Sequence, residues 1–213
     1  MKRVCFVGAS NVEGQGDETG EGWVGQLIGL LKADGISLIS YRLGIRGQTL
    51  SQIVLRAALE CPPRLPKDGS GLIVMTTGVN DLARVRNSPP RLSLTQSGEI
   101  LESAIPGLLE IAPLIIVGPT PVNDAKMPLL AGPNRVPVYF GNESINIAND
   151  RYRRVCEKAG ADYLDLFNAL RSDDSYRLGL SVNDGLHTDA SGYKAMAKFV
   201  HHSPTWRRRM GLS

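Results

Sequence analysis

Short apolar runs, each ending in glycine or another turn residue and each followed by a helical stripe, recur along this chain and leave few architectures open to it. Residues 4–8 (Val-Cys-Phe-Val-Gly), 72–77 and 114–117 are largely apolar stretches of strand length. Uninterrupted runs of this kind are typical of strands buried on both faces. Residues 37–45 and 163–167 read as two further strands. Between them, residues 23–32, 50–59, 94–109, 145–158 and 190–200 carry apolar positions at helical spacing. Gly35 suits a helix C-cap, and Thr49 or Ser51 suits the start of the second helix. Pro106 crosses the third helix and predicts an early end or a kink. Residues 122–142 hold three prolines without periodicity and predict a long loop, either a lid over a site or a mobile excursion. Strands alternating with helices imply one parallel sheet covered on both sides, with ligands bound beyond the carboxyl ends of its strands.

A chain of 213 residues is long enough for one well-buried domain and marginal for two, so residues 1–213 read as a single domain. The hydrophobic fraction of 42% and charged fraction of 21% are those of an ordinary globular protein. A net charge of +3, concentrated in Arg207, Arg208 and Arg209, argues against a nucleic-acid partner and reads as a solvated basic tail over 203–213. Cys5, Cys61 and Cys156 are odd in number and far apart, with neither disulfide-framework nor zinc spacing. The apolar run after Met1-Lys2-Arg3 is too short for a signal peptide or a membrane span. A cytoplasmic protein with reduced thiols, no metal, no cofactor and no membrane partner is the expectation.

Four polar or glycine positions fall beyond predicted strand ends or in a late loop: Ser10, Gly47, Asn80 and His187. The chain has three histidines, and two of them, His201 and His202, sit together near the basic end. His187 is therefore the candidate general base, and Asp184, three residues earlier, can return to the ring, accept its Nδ1 proton and fix the tautomer. Serine becomes a useful nucleophile only when a base takes its proton, and acyl transfer needs donors aimed at the developing oxyanion. Ser10 offers a hydroxyl and a backbone N–H, Gly47 an unobstructed N–H, and Asn80 a neutral amide donor. Taken singly, each has a plainer role: Ser10 as a helix N-cap, Gly47 as a hinge, Asn80-Asp81 as a turn pair, Asp184 as the cap of the next helix. Asp17 reads as a turn residue. Trp23 and Tyr139 read as core or lid packing. Arg46 and Arg84 flank the site and read as solvated surface arginines, with an anionic substrate as the other possibility. The glycine-rich stretch 14–22 lacks both a P-loop lysine and the dinucleotide-binding pattern, which argues against a nucleotide site.

In four ordered blocks the chain resembles the SGNH hydrolases, the GDSL-type esterases and lipases: Phe6-Val7-Gly8-Ala9-Ser10, Leu43-Gly44-Ile45-Arg46-Gly47-Gln48-Thr49, Gly78-Val79-Asn80-Asp81 and Asp184-Gly185-Leu186-His187. The resemblance implies a flavodoxin-like, three-layer αβα fold with a five-stranded parallel sheet. It implies Ser10 as nucleophile, Asp184 and His187 as its partners, and Ser10, Gly47 and Asn80 as the oxyanion hole of an esterase. The substrate would be a small-molecule ester with a small or medium acyl group. Two departures stand out. Ala9 occupies the position where the family usually has Asp, which keeps open a catalytically impaired binding module as the alternative. The second block also holds two glycines, Gly44 and Gly47, and its spacing favours Gly47.

Overall fold

A computed structural model describes residues 1–212. In chain order its strands are β1 (Lys2–Gly8), β2 (Leu38–Gly44), β3 (Gly71–Thr76), β4 (Arg84–Val85), β5 (Leu114–Val117), β6 (Leu129–Ala131), β7 (Val136–Tyr139) and β8 (Asp162–Leu164). Its helices are α1 (Ser10–Glu13), α2 (Gly22–Ala33), α3 (Leu50–Glu60), α4 (Leu94–Ile111), α5 (Asn142–Ala159), α6 (Leu166–Leu170), α7 (Asp174–Val182), α8 (Ala190–His202) and α9 (Pro204–Met210).

Five strands pair in parallel in the order β2-β1-β3-β5-β8. Side chains alternate across these strands with a period of two, so each face of the sheet builds its own core. Cys5, Val7, Ile73, Met75, Leu114 and Ile116 pack with α3, α4 and α5 on one side. Val4, Phe6, Leu72, Val74, Ile115 and Val117 pack with α2, α8 and α9 on the other. The three-layer αβα arrangement expected from the sequence is thus the observed fold. The strand order reverses at β1, from which the chain leaves first toward β2 and then crosses back to β3. In sheets of this kind the crevice beside such a reversal is where ligands settle.

Four expectations need correction. Residues 122–142 are not an open loop. They contain β6 and β7, which pair antiparallel with each other, and β7 also pairs with β4, forming a separate three-stranded sheet. Strands of two to four residues are too short to show alternation, which is why the segment looked aperiodic. The last strand of the main sheet ends at Leu164, because the Asp165 carboxylate caps α6 through the Asn168 N–H at 3.0 Å and turns Phe167 into helix. The basic end is not a solvated tail: Ser203 caps α9, Trp206 is fully buried on that helix, and Arg208 and Arg209 both pair with Asp162. Pro106, by contrast, neither ends nor interrupts α4, which runs on to Ile111. Pro106 and Glu102 are both exposed, so water can take the carbonyl that the proline leaves without a donor.

One buried carboxylate ties the layers to the site. Asp81, 1% exposed, follows β3, and its Oδ1 accepts the Leu50 N–H at the start of α3 at 2.8 Å. Its Oδ2 has the Tyr152 hydroxyl as neighbour, though neither atom closes a well-formed hydrogen bond. Burial pushes the Asp81 carboxyl up to about 6, against the opposing pull of the Leu50 N–H, Arg91 and Tyr152. The folded chain therefore binds this proton more tightly than the unfolded chain, in which the group has its ordinary value of 3.8. Stability from this group is fully present below that value and is lost as pH rises through about 6. Chemical denaturation from pH 4 to pH 7 is expected to show the wild type losing on the order of 2–3 kcal/mol relative to Asp81→Asn, which carries no such proton. Parallel pH profiles would remove that linkage. Trp206→Ala is expected to lower the unfolding free energy by about 3–5 kcal/mol in urea, a cost that a solvated tail would not show.

Candidate active site

The four blocks converge at the carboxyl end of the sheet. β1 ends at Gly8, and the Ala9 carbonyl immediately accepts the N–H groups of Val12 and Glu13 at 3.1 and 3.2 Å, starting α1. Ser10 is the first residue of that helix and is 8% exposed. Its side chain does not cap the helix but reaches across to His187, with Oγ and Nε2 2.9 Å apart. The other ring nitrogen, Nδ1, lies 2.8 Å from Asp184 Oδ2. His187 is 4% exposed, so water does not compete freely for either bond.

Asp184 holds its own turn. Its Oδ1 accepts the backbone N–H groups of Leu186 and His187 at 2.9 and 2.8 Å, and the Gly185 carbonyl accepts the Asn123 N–H at 2.8 Å. The cap of the following helix, α8, is Asp189 rather than Asp184. Burial pushes the Asp184 carboxyl up, but the His187 hydrogen bond, the His187 charge and the two backbone donors outweigh it and hold the group at about 2. An ionised Asp184 can only accept, so Nδ1 carries the proton. Nε2 is then the acceptor facing the Ser10 hydroxyl, which donates. The arrangement can take a proton from Oγ and stabilise the resulting imidazolium.

The second block distinguishes its two glycines. A side chain at Gly44 would lie 2.3 Å from the Glu13 backbone nitrogen, so Gly44 serves the close approach of β2 to α1. Gly47 has open space around it and a φ of +71°, a backbone conformation that favours glycine. Two bonds fix the loop that carries it. Asn80 Nδ2 donates to the Gln48 carbonyl at 3.0 Å, and Arg91 Nη1 donates to the Gly47 carbonyl at 2.7 Å. The first of these bonds uses one of the two Asn80 amide protons. Ser10 and Asn80 line one small cavity of about 20 Å³ together with Thr76, Gly118 and Leu186, and Gly47 lies outside that lining. A wider groove of about 780 Å³, lined by Asn123, Asn142, Arg171 and Ser181, does not include Ser10 or His187.

The remaining candidates fall outside this constellation. Asp17 is a turn residue: its carboxylate accepts from the Thr19 and Gly22 N–H groups. Trp23 is fully buried in the core, whereas Tyr139 stands 42% exposed on β7 opposite Arg84. Arg46 pairs with Glu13 at 2.8 Å. Sequence reading passed over Arg91 and Asp81 as contributors to the site. Arg91 gave no motif signal, and Asp81 was visible within its block but only as half of a turn pair. Among the described residues, no three His, Cys, Asp or Glu come together as a ligand set for a metal ion. No helix among them is long and apolar enough to cross a membrane.

Comparison with known proteins agrees with this geometry at the level of family and fold. A GDSL esterase/lipase of Arabidopsis thaliana is 24% identical over 140 residues, covering 62% of this chain. The match spans about half, 54%, of that relative's length. Among solved structures, a lipase/acylhydrolase from Enterococcus faecalis superposes with a TM-score of 0.72 at 20% identity, covering 99% of this chain and 96% of that one. An acetylxylan esterase from Geobacillus stearothermophilus gives a TM-score of 0.66 at 15% identity, covering 100% and 95%. The profile of the GDSL-like lipase/acylhydrolase family matches residues 6–195, all four blocks included, and the chain belongs to that family.

Proposed function

We infer that the protein is a serine esterase acting on a small or medium acyl ester through an acyl-serine intermediate. The observation that carries this reading is the 2.9 Å contact between Ser10 Oγ and His187 Nε2, made across 177 residues of chain. In the proposed reaction His187 removes the Ser10 proton as Oγ attacks the ester carbonyl. The carbonyl oxygen, now an oxyanion, is met by the N–H groups of Ser10 and Gly47 and by the second Asn80 amide proton. The imidazolium, steadied by Asp184, returns its proton to the leaving alkoxide as the C–O bond breaks. Water then attacks the acyl carbon as His187 takes one of its protons, and the imidazolium returns that proton to Ser10 Oγ as the acyl–Oγ bond breaks, releasing the carboxylic acid, which ionises in water.

The cavity against Ser10, about 20 Å³, has room for about one water, which makes short acyl groups the ones to try first. The acetylxylan esterase of the same fold makes an acetyl ester the first compound to try. Ala9 does not speak against catalysis. It is 4% exposed and packed into the core, and the turn after β1 closes through backbone bonds that need no carboxylate.

Ser10→Ala is expected to abolish hydrolysis of p-nitrophenyl acetate and labelling by a fluorophosphonate while the circular-dichroism spectrum stays unchanged. Turnover equal to that of the wild type in this variant would rule out the assignment. Asp184→Asn leaves Nδ1 free to lose its proton to the wrong tautomer, and kcat is expected to drop by about 10²–10⁴-fold with little change in KM. Asp184, held at about 2, stays ionised on acidification to pH 4, so the acceptor of the Nδ1 proton is retained over that range.

A further inference from the structure

The loop that follows Asn80 is rich in arginine. Residues 42–60, 81–98 and 124–143 hold eight Lys or Arg against four acids, Glu60, Asp81, Asp124 and Glu143, and within 82–98 Arg84, Arg86 and Arg91 occur with no Asp or Glu among them. These segments contribute the Gly47 loop, the loop after Asn80 and the small β4-β7-β6 sheet. Several of the cations are already engaged. Arg46 pairs with Glu13, Arg56 with Glu60, Arg42 donates to the carbonyls of Gly20 and Glu21, and Lys126 to that of Asn183. Arg84, Arg86, Arg91 and Arg135 form no ion pair among the described residues.

Three of these four share one loop fastened to the site. Ala83 N–H donates to the Asn80 carbonyl at 3.3 Å, Arg91 N–H to the Ala83 carbonyl at 3.2 Å, and the Arg91 guanidinium to the Gly47 carbonyl. Arg91 thus stands beside the proposed oxyanion donors with most of its five N–H groups uncommitted. Arg84 follows at the start of β4, with Tyr139 opposite. Arg91 faces the buried Asp81 carboxyl, whereas Arg84 and Arg86 are exposed and carry no ion pair, and a planar fork of donors suits carboxylate or phosphate.

We propose that the ester taken by this site carries an anionic group, a carboxylate or a phosphate, which the Arg84–Arg86–Arg91 loop binds while the ester carbonyl lies at Ser10. This rests on the esterase reading and adds a substrate class to it. An anionic bilayer is the other surface such a rim could meet, but it would need apolar side chains standing clear of the fold. Val85, Leu130, Val136 and Tyr139 are 41, 44, 39 and 42% exposed, each more than half covered.

The test compares mono-p-nitrophenyl glutarate with p-nitrophenyl valerate, esters of equal chain length that differ in charge. At low salt the anionic ester is expected to have a kcat/KM at least about 10-fold higher, mainly through KM, with the ratio shrinking as sodium chloride is raised. In Arg84→Ala/Arg86→Ala the ratio should move toward one. A ratio of one or less in the wild type, or a ratio indifferent to salt, overturns the proposal while leaving the esterase reading intact. Binding without turnover is read separately: monomethyl glutarate should raise the melting temperature of Ser10→Ala more than methyl valerate does. If the wild type hydrolyses neither ester, the esterase reading fails, and this melting shift still decides the anion site. Equal shifts, or binding to phosphatidylglycerol vesicles without any preference for the anionic ester, also overturn it.

Discussion

The hydrogen bond between Ser10 and His187 joins residues that are 177 apart in the chain, and nothing local holds them together. It exists because two independent anchorages bring their side chains to one point. Ser10 is set by β1, which lies between β2 and β3 where the strand order reverses, and by the backbone bonds to the Ala9 carbonyl that start α1. His187 is set by the turn folded around Asp184, which is itself tied to the segment after β5 through Asn123. Loosening either anchorage by one ångström would turn a bond into a gap, so both cores of the sheet bear on this contact.

The carboxylate in this chain of contacts has two duties that pull its charge the same way. Asp184 must be an acceptor for Nδ1 and also for two backbone N–H groups, and all three bonds favour the ionised form. Asp81 shows the opposite balance. It caps α3 with one oxygen, but its other oxygen is buried without a well-formed partner, so burial prevails and its pKa rises. Two aspartates in neighbouring blocks thus differ because one is given enough donors and the other is not.

This difference marks what was legible in the sequence. Strand and helix order could be read because both faces of a parallel sheet demand apolar side chains, and such runs stand out. The four blocks could be read because three sit where a strand gives way to a loop and the fourth lies in the loop between α7 and α8. The small sheet could not: Arg84-Val85, Leu129–Ala131 and Val136–Tyr139 have too few residues to establish a period, and their pairing joins segments about fifty residues apart. α9 was hidden by its arginines. Arg207, Arg208 and Arg209 suggested solvent, whereas the helix turns Trp206 inward and leaves two of the three to meet Asp162 at the edge of β8.

Ala9 shows how far a missing motif residue can be judged from its surroundings. A carboxylate at that position would enter a site only 4% exposed, within the cluster that includes Val7, Leu50 and Val79. It would need its own donors there or its charge would be costly. Ala9 instead adds to the packing, and the Ser10 turn is closed by main-chain bonds on either side of it: Val12 and Glu13 to the Ala9 carbonyl, Gly14 and Gln15 to the Ser10 carbonyl. The backbone that presents the hydroxyl to His187 is therefore defined without help from the side chain before it, and the geometry at Oγ depends on the turn rather than on the motif's acidic letter.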